Sequence, residues 1–166
     1  MTWLDFTIVG LVAFSVILSL FRGYIREALS LLGWIVALWC GFSFAHDGAE
    51  FLAAAVDDGG ARTGIALATI VFVVLLLVGM VNFVVGRYLL SKRYTAADRV
   101  LATVFGGARG CLIVVALVLL AGMVRVPEHA TWEASRVVPY FQMIAVQIRE
   151  VLPNELANGI QYPGGK

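Results

Sequence analysis

Four long apolar runs dominate this chain: Phe6 to Phe21, Ala28 to Ala45, Gly64 to Gly86 and Val100 to Val124. A helix needs roughly 17–25 mostly apolar residues to cross the hydrocarbon core of a bilayer. The third and fourth runs meet that length, and the first two sit near its short end. The rest of the composition leaves too little polar surface for a water-soluble fold. Of the 166 residues 61% are apolar and 14% charged, with mean hydropathy +0.92. Soluble domains run at about 45–50% apolar and about 25% charged. The predicted class is an all-α integral membrane protein. About four transmembrane helices fill residues 1–126, and residues 127–166 form an extracytoplasmic tail with an amphipathic interfacial helix.

Asp5 precedes the first run, and Phe21-Arg22-Gly23 follows it. A cleaved signal peptide carries basic residues before its apolar stretch and a small-x-small site after it. The first helix is therefore expected to stay on as an anchor. Orientation follows from basic residues in the short loops. Arg22 and Arg26 lie between runs one and two, and Arg87, Lys92, Arg93 and Arg99 between runs three and four. The middle loop holds Arg62 among Asp47, Glu50, Asp57 and Asp58. The first and third loops are thus expected in the cytoplasm and both termini outside. The acidic middle loop, with Asp57-Asp58-Gly59-Gly60, reads as a solvated turn. It lacks the alternating oxygen ligands of an EF-hand loop. Trp3, Tyr24 and Tyr88 lie near run ends, where aromatic rings favour the headgroup zone. Trp34 lies deeper, as a packing residue.

The fourth run carries the least ordinary chemistry. Thr95-Ala96-Ala97-Asp98 has capping-box spacing, and Asp98 adds negative charge at a positive helix end. Gly106 and Gly110 form GxxxG, which lets another helix approach closely. Arg109 lies between them. Counted from Thr95 it is about fourteen residues, or about 21 Å, into the helix. At mid-bilayer an arginine costs at least about 2.5–3.5 kcal/mol, so it needs a carboxylate, backbone carbonyls or a water-filled cavity. A second arrangement stays open, in which Thr95–Ala108 lies flat on the surface and the glycines bend the chain. Asn82, four residues before Gly86, reads as a hydrogen-bonding link between helices. Ser15, Ser19 and Ser30 can bond their own helix backbone. Small residues along the first two helices fit close packing, including packing between subunits.

The tail reads as one amphipathic helix. Pro139 suits a first helical position, and Phe141, Ile144, Ile148 and Val151 or Leu152 share a face. Pro153 ends it, on the outer interface or docked against the bundle, and Ala157 to Lys166 read as frayed. Cys40 and Cys111 lie inside apolar runs and read as small buried hydrophobes. Nothing points to a cofactor, a metal or nucleic acid as a partner. His46 and His129 have no nucleophile near them in sequence, and GxSxG, HExxH and Walker motifs are absent, so catalysis is not expected.

Several segments are familiar as a set. They are Trp3-Leu4-Asp5, the turn from Arg22-Gly23 through Arg26 to Leu29, and Trp34. Asp98-Arg99 through Gly106, Arg109 and Gly110 follows, then Trp132-x-x-Ser135 and Pro139-x-Phe141. Spanning most of the chain in the expected order, they resemble the colicin V production protein family. Gly107 and the final Gly-Gly-Lys are less characteristic. The resemblance implies a bacterial inner-membrane protein that supports production or export of a peptide toxin, with a wider part in envelope homeostasis. It brings no established catalytic site. Two functions follow as expectations: a membrane scaffold that helps export, or an oligomeric channel or small-solute transporter. The partners expected are the bilayer, further copies of the chain or other membrane proteins, and a peptide or small-solute cargo.

Overall fold

The computed structural model describes residues 2–54, 56–88, 95–123, 132, 134–151 and 160. Among them the regular structure is helical: α1 Trp3–Leu20, α2 Tyr24–Phe51, α3 Gly59–Tyr88, α4 Ala96–Met123 and α5 Val138–Val151. The first four are each long and apolar enough to cross a membrane. Their outward faces carry Phe14, Trp39, Phe72, Met80 and Val104, all more than half exposed. In a bilayer these side chains meet lipid rather than water.

The helices outrun the apolar runs that announced them. α2 continues past Ala45 to Phe51, and α3 begins at Gly59. An apolar run marks the stretch that lipid can cover. A helix continues beyond it as long as one face stays packed, and Ala49 is buried there. Much of the expected acidic loop is therefore helical. Asp58 Oδ1 accepts from Gly60 N–H at 3.2 Å at the start of α3. α4 runs unbroken through Gly106, Gly107 and Gly110, so the bent arrangement is not adopted. Its start bears the expected capping box: Thr95 N–H donates to Asp98 Oδ2 at 2.8 Å, and Asp98 N–H donates to Thr95 Oγ1 at 3.2 Å. The turn before α2 needs Gly23, whose φ of 76° penalises any side chain.

Packing places α4 at the centre, against α1, α2, α3 and α5. It is 44% buried over its most apolar stretch, against 17–22% for the other three spans. α2 presents a stripe of buried small residues, Gly33, Ala37, Gly41, Ala45 and Ala49. Val78 of α3 fills the space beside Gly33, and Val71 that beside Gly41. Between membrane helices such close approach supplies the van der Waals attraction that drives association. Small residues here serve packing within one chain.

Contacts also fix the up-and-down order. Arg26 at the start of α2 meets Gly86 at the end of α3, and Gly60 at the start of α3 meets the carbonyl of Met123 at the end of α4. The α1–α2 and α3–α4 connections therefore share one end, with Arg22, Arg26, Arg87 and Arg99. Trp3, Tyr24 and Tyr88 are exposed at helix ends, and Trp34 packs partly buried against the core. Cys40 is half-buried and Cys111 exposed, both as free thiols, so neither is the fully buried hydrophobe expected. Lys92, Arg93, Arg125, His129 and Pro153 lie outside the described residues.

Candidate functional site

Two polar junctions join elements far apart in sequence. The first surrounds Arg109. Its side chain is 6% exposed and ion-paired with Glu27, which is fully buried, at 2.5 Å. The guanidinium also donates to Ser15 Oγ at 3.1 Å, the Ser15 carbonyl at 3.1 Å and Ser30 Oγ at 3.2 Å. One side chain of α4 thereby ties α1 and α2 together. Ser15 Oγ in turn donates to the Gly106 carbonyl at 2.8 Å. This contact needs Gly106 to be glycine. A Cβ there would lie 2.5 Å from Ser19 Cβ and Oγ, and one on Gly110 would lie 3.1 Å from Val12 Cα. GxxxG lets α4 sink onto α1, and that approach brings Arg109 to its partners.

The depth of Arg109 differs from the count along α4. Glu27 is only three residues into α2, about 5 Å along its axis, and Ser15 five residues from the end of α1, about 8 Å. α4 starts beyond the ends of its neighbours, so Arg109 sits one or two turns from the basic ends of α1 and α2. Arg99, in the projecting first turn, is exposed and joins neither junction. Of the serines, Ser19 bonds its own helix at the Val16 carbonyl. Ser15 and Ser30 serve Arg109 instead.

Glu27 went unnoticed in the sequence because it falls inside the basic turn and resembles a surface charge. The missing signal was the requirement itself. A carboxylate is one of the partners a buried arginine can take, and Glu27 lies on the turn that borders run two.

The second junction surrounds Asp5, also fully buried. Asp5 Oδ2 accepts from Thr2 N–H at 2.8 Å, as a helix-capping carboxylate does. Its Oδ1 accepts from Ser135 Oγ at 2.5 Å, and from the Arg136 and Val137 amides at 3.0 Å each. A residue of α1 thus anchors the chain entering α5. Trp132 is buried and donates from Nε1 to Gln142 Oε1 at 3.1 Å. Pro139 is the second residue of α5, after Val138. Val138, Phe141, Ala145 and Ile148 turn toward the core, while Tyr140, Met143 and Ile144 are exposed. The helix is docked on α4 with an apolar outer face, and Ile144 leaves the expected inner face. Ile160 is buried in the core, so the end of the tail is not frayed at that residue.

Asp5→Ala is expected to loosen this anchor. Hydrogen bonds to a charged group contribute about 1.5–3 kcal/mol each. Amide exchange at Arg136 and Val137 should therefore rise about tenfold or more, read by hydrogen exchange in detergent micelles. Unchanged exchange would mean that packing alone holds the tail.

A third feature is a cavity of about 380 Å³ between α2 and α3 at the basic end. Arg22, Arg26, Ser30 and Asn82 supply its polar lining. Asn82 Nδ2 donates to the Arg26 carbonyl at 3.0 Å, the interhelical link expected of it.

The paired segments are also those that carry the family resemblance. Trp3-Leu4-Asp5 meets Trp132-x-x-Ser135, and the turn containing Glu27 meets the segment containing Arg109. The family model for the colicin V production protein matches residues 4–146. The chain belongs to the colicin V production protein family. The colicin V production protein of Escherichia coli (strain K12) is 36% identical over 148 residues, covering 87% of this chain and 89% of that one. The colicin V production protein homolog of Haemophilus influenzae (strain ATCC 51907 / DSM 11121 / KW20 / Rd) is 38% identical over 143 residues, covering 85% and 86%. No solved structure matches this chain. Family membership and four membrane-capable helices together make this a multi-pass membrane protein.

Proposed function

We propose that this member of the family is a bacterial inner-membrane scaffold that supports production or export of a colicin V-type peptide toxin and helps maintain the envelope. The relatives' names support the toxin role. One observation favours a scaffold: the buried Arg109 is fully engaged with Glu27, Ser15 and Ser30. A charge so engaged locks three helices into one body and needs no passing solute to satisfy it. Such a scaffold acts by holding other membrane proteins, or further copies of itself, against its lipid-facing helices, and it requires no catalysis. The basic end with Arg22, Arg26, Arg87 and Arg99 is assigned to the cytoplasm by the positive-inside rule, with both termini outside.

The alternative is a channel or small-solute transporter. Glu27 Oε1 is buried with no hydrogen-bond partner among the described residues, and Ser30 both touches Arg109 and lines the α2–α3 cavity. A solvated route to the ion pair would use both features.

Flux of ions and small solutes through the purified protein in liposomes separates the two readings. A scaffold gives no flux above protein-free liposomes, with correct insertion shown by protease protection. Protein-dependent flux that Glu27→Gln alters would overturn the scaffold and establish a pathway.

A further inference from the structure

The α2–α3 cavity plays no part in the scaffold reading, and its chemistry is one-sided. Two guanidinium groups, from Arg22 and Arg26, line it together with Ser30 and Asn82, and no carboxylate among the described residues does. Glu27, the acidic neighbour of Arg26, is turned to Arg109 on α4. Neither Arg22 nor Arg26 has an ion-pair partner among the described residues.

Arg26 is held in place rather than waving in solvent. Its guanidinium lies against Gly86, where a Cβ would collide with it. Its backbone carbonyl is fixed by Asn82. Its Nε is buried, yet has no hydrogen-bond partner among the described residues, and the same is true of Asn82 Oδ1. Leaving a buried polar group unmatched costs about 1–3 kcal/mol, and more when it is charged. Arg26 Nε therefore suits a hydrogen-bond acceptor, above all an anionic oxygen, and Asn82 Oδ1 suits a donor such as a hydroxyl.

The remaining walls and the opening narrow the ligand further. Trp34, Leu75 and Phe83 make one side apolar, and Phe83 is 64% exposed to the lipid side. The cavity runs from the α1–α2 turn, with Arg22 and Arg26, along α2 to Trp34, so its basic mouth falls at the end of the spans, where the positive-inside reading puts the headgroups. Its volume of about 380 Å³ falls within the range of small-molecule sites, about 300–1,000 Å³. Basic pockets between membrane helices hold acidic headgroups by the same electrostatics.

We propose that this cavity binds a phosphate-bearing anion, whether a headgroup of an acidic phospholipid or a free phosphate ester from solvent. Arg22 and Arg26 neutralise the phosphate, and the Trp34 and Phe83 wall accommodates an attached apolar body. This inference is independent of the scaffold reading, because either a scaffold or a channel can carry a bound lipid.

The test is native mass spectrometry of the full chain in neutral detergent, with dioleoylphosphatidylglycerol and dioleoylphosphatidylcholine added in equal amounts. The wild type is expected to retain the anionic lipid preferentially. Arg22→Gln and Arg26→Gln should each lower that retention about fivefold, the effect of removing one basic side chain near an acidic headgroup. Arg87→Gln, an exposed arginine at the same end but outside the cavity, should leave it unchanged. Glycerol 1-phosphate separates the sources. If it fails to displace the lipid, the headgroup is the ligand. If it displaces the lipid and binds in an Arg26-dependent way, the ligand is a soluble ester of the same chemistry. Equal retention of both lipids, or equal loss in Arg87→Gln and the cavity variants, would overturn the site. Arg22 is exposed, so Arg22→Gln carries the test should Arg26→Gln fail to fold.

Discussion

Glu27→Ala should destabilise this protein by about 3–5 kcal/mol, the usual consequence of stripping one partner from a buried ion pair. The cause is the arginine left behind. Arg109 would keep Ser15 and Ser30 but lose its counter-charge while staying buried. Arg109→Met should cost a similar amount, because it strands the Glu27 carboxylate. The double variant Glu27→Ala/Arg109→Met should lose much less than the sum of the two single losses, since neither residue then carries a buried charge. Unfolding in mixed micelles of rising dodecyl sulfate fraction reads all three. Strict additivity of the two single losses would mean that the pair does not couple, and the junction would lose its claim to hold the bundle.

Gly106→Leu should cost the most among substitutions of the α4 glycines Gly106, Gly107 and Gly110, because α4 and α1 would have to separate. Overpacking a close contact costs about 1–3 kcal/mol. Here the separation would also break the Ser15–Gly106 hydrogen bond and move Ser15 away from Arg109. The structure ranks the milder alanine changes. Gly106→Ala brings Cβ to 2.5 Å of Ser19, Gly110→Ala to 3.1 Å of Val12 Cα, and Gly107→Ala only to 3.8 Å of Val16. Melting temperature in one detergent should fall in that order, with Gly107→Ala near the wild type. Equal gains from Gly106→Ala and Gly107→Ala, of the kind that alanine's better helix propensity supplies, would show that propensity, not the α1–α4 contact, governs this segment.

Much of this design was legible in the chain because lipid simplifies the problem. Apolar length alone dictates helices that span, and GxxxG marks a helix that another helix can approach closely. The capping box at Thr95 and Asp98 was legible for a local reason, since both partners lie within one turn. Asn82 could be read as a link because a polar amide in an apolar run has few other uses. Glu27, Ser15, Ser30 and Ser135 were not legible as site residues. Each looks like an ordinary boundary or backbone-bonding residue until a distant segment arrives beside it.

Periodicity along one helix also misleads at its ends. The apolar run stops at Ala45, but α2 does not, and a count from Thr95 gives no measure of how far Arg109 lies from the ends of α1 and α2, because α4 begins beyond them. Ile144 shares the hydrophobic period of α5 but faces outward. Periodicity fixes an angle around the axis only relative to the other residues of that helix.

By itself, the sequence determined the class of this protein: helices of membrane-crossing length, their approximate positions, and the family to which they belong. These follow from local quantities, hydropathy and short motifs, that each segment carries alone. Tertiary structure decided which charges are neutralised, how deep they lie, and that Asp5 holds the tail. Those outcomes depend on relative translation and rotation of helices, set by side-chain contacts between segments up to about 130 residues apart. No single helix contains that information. Arg109 is a burden in α4 by itself, and with Glu27, Ser15 and Ser30 around it becomes the point at which three helices are joined.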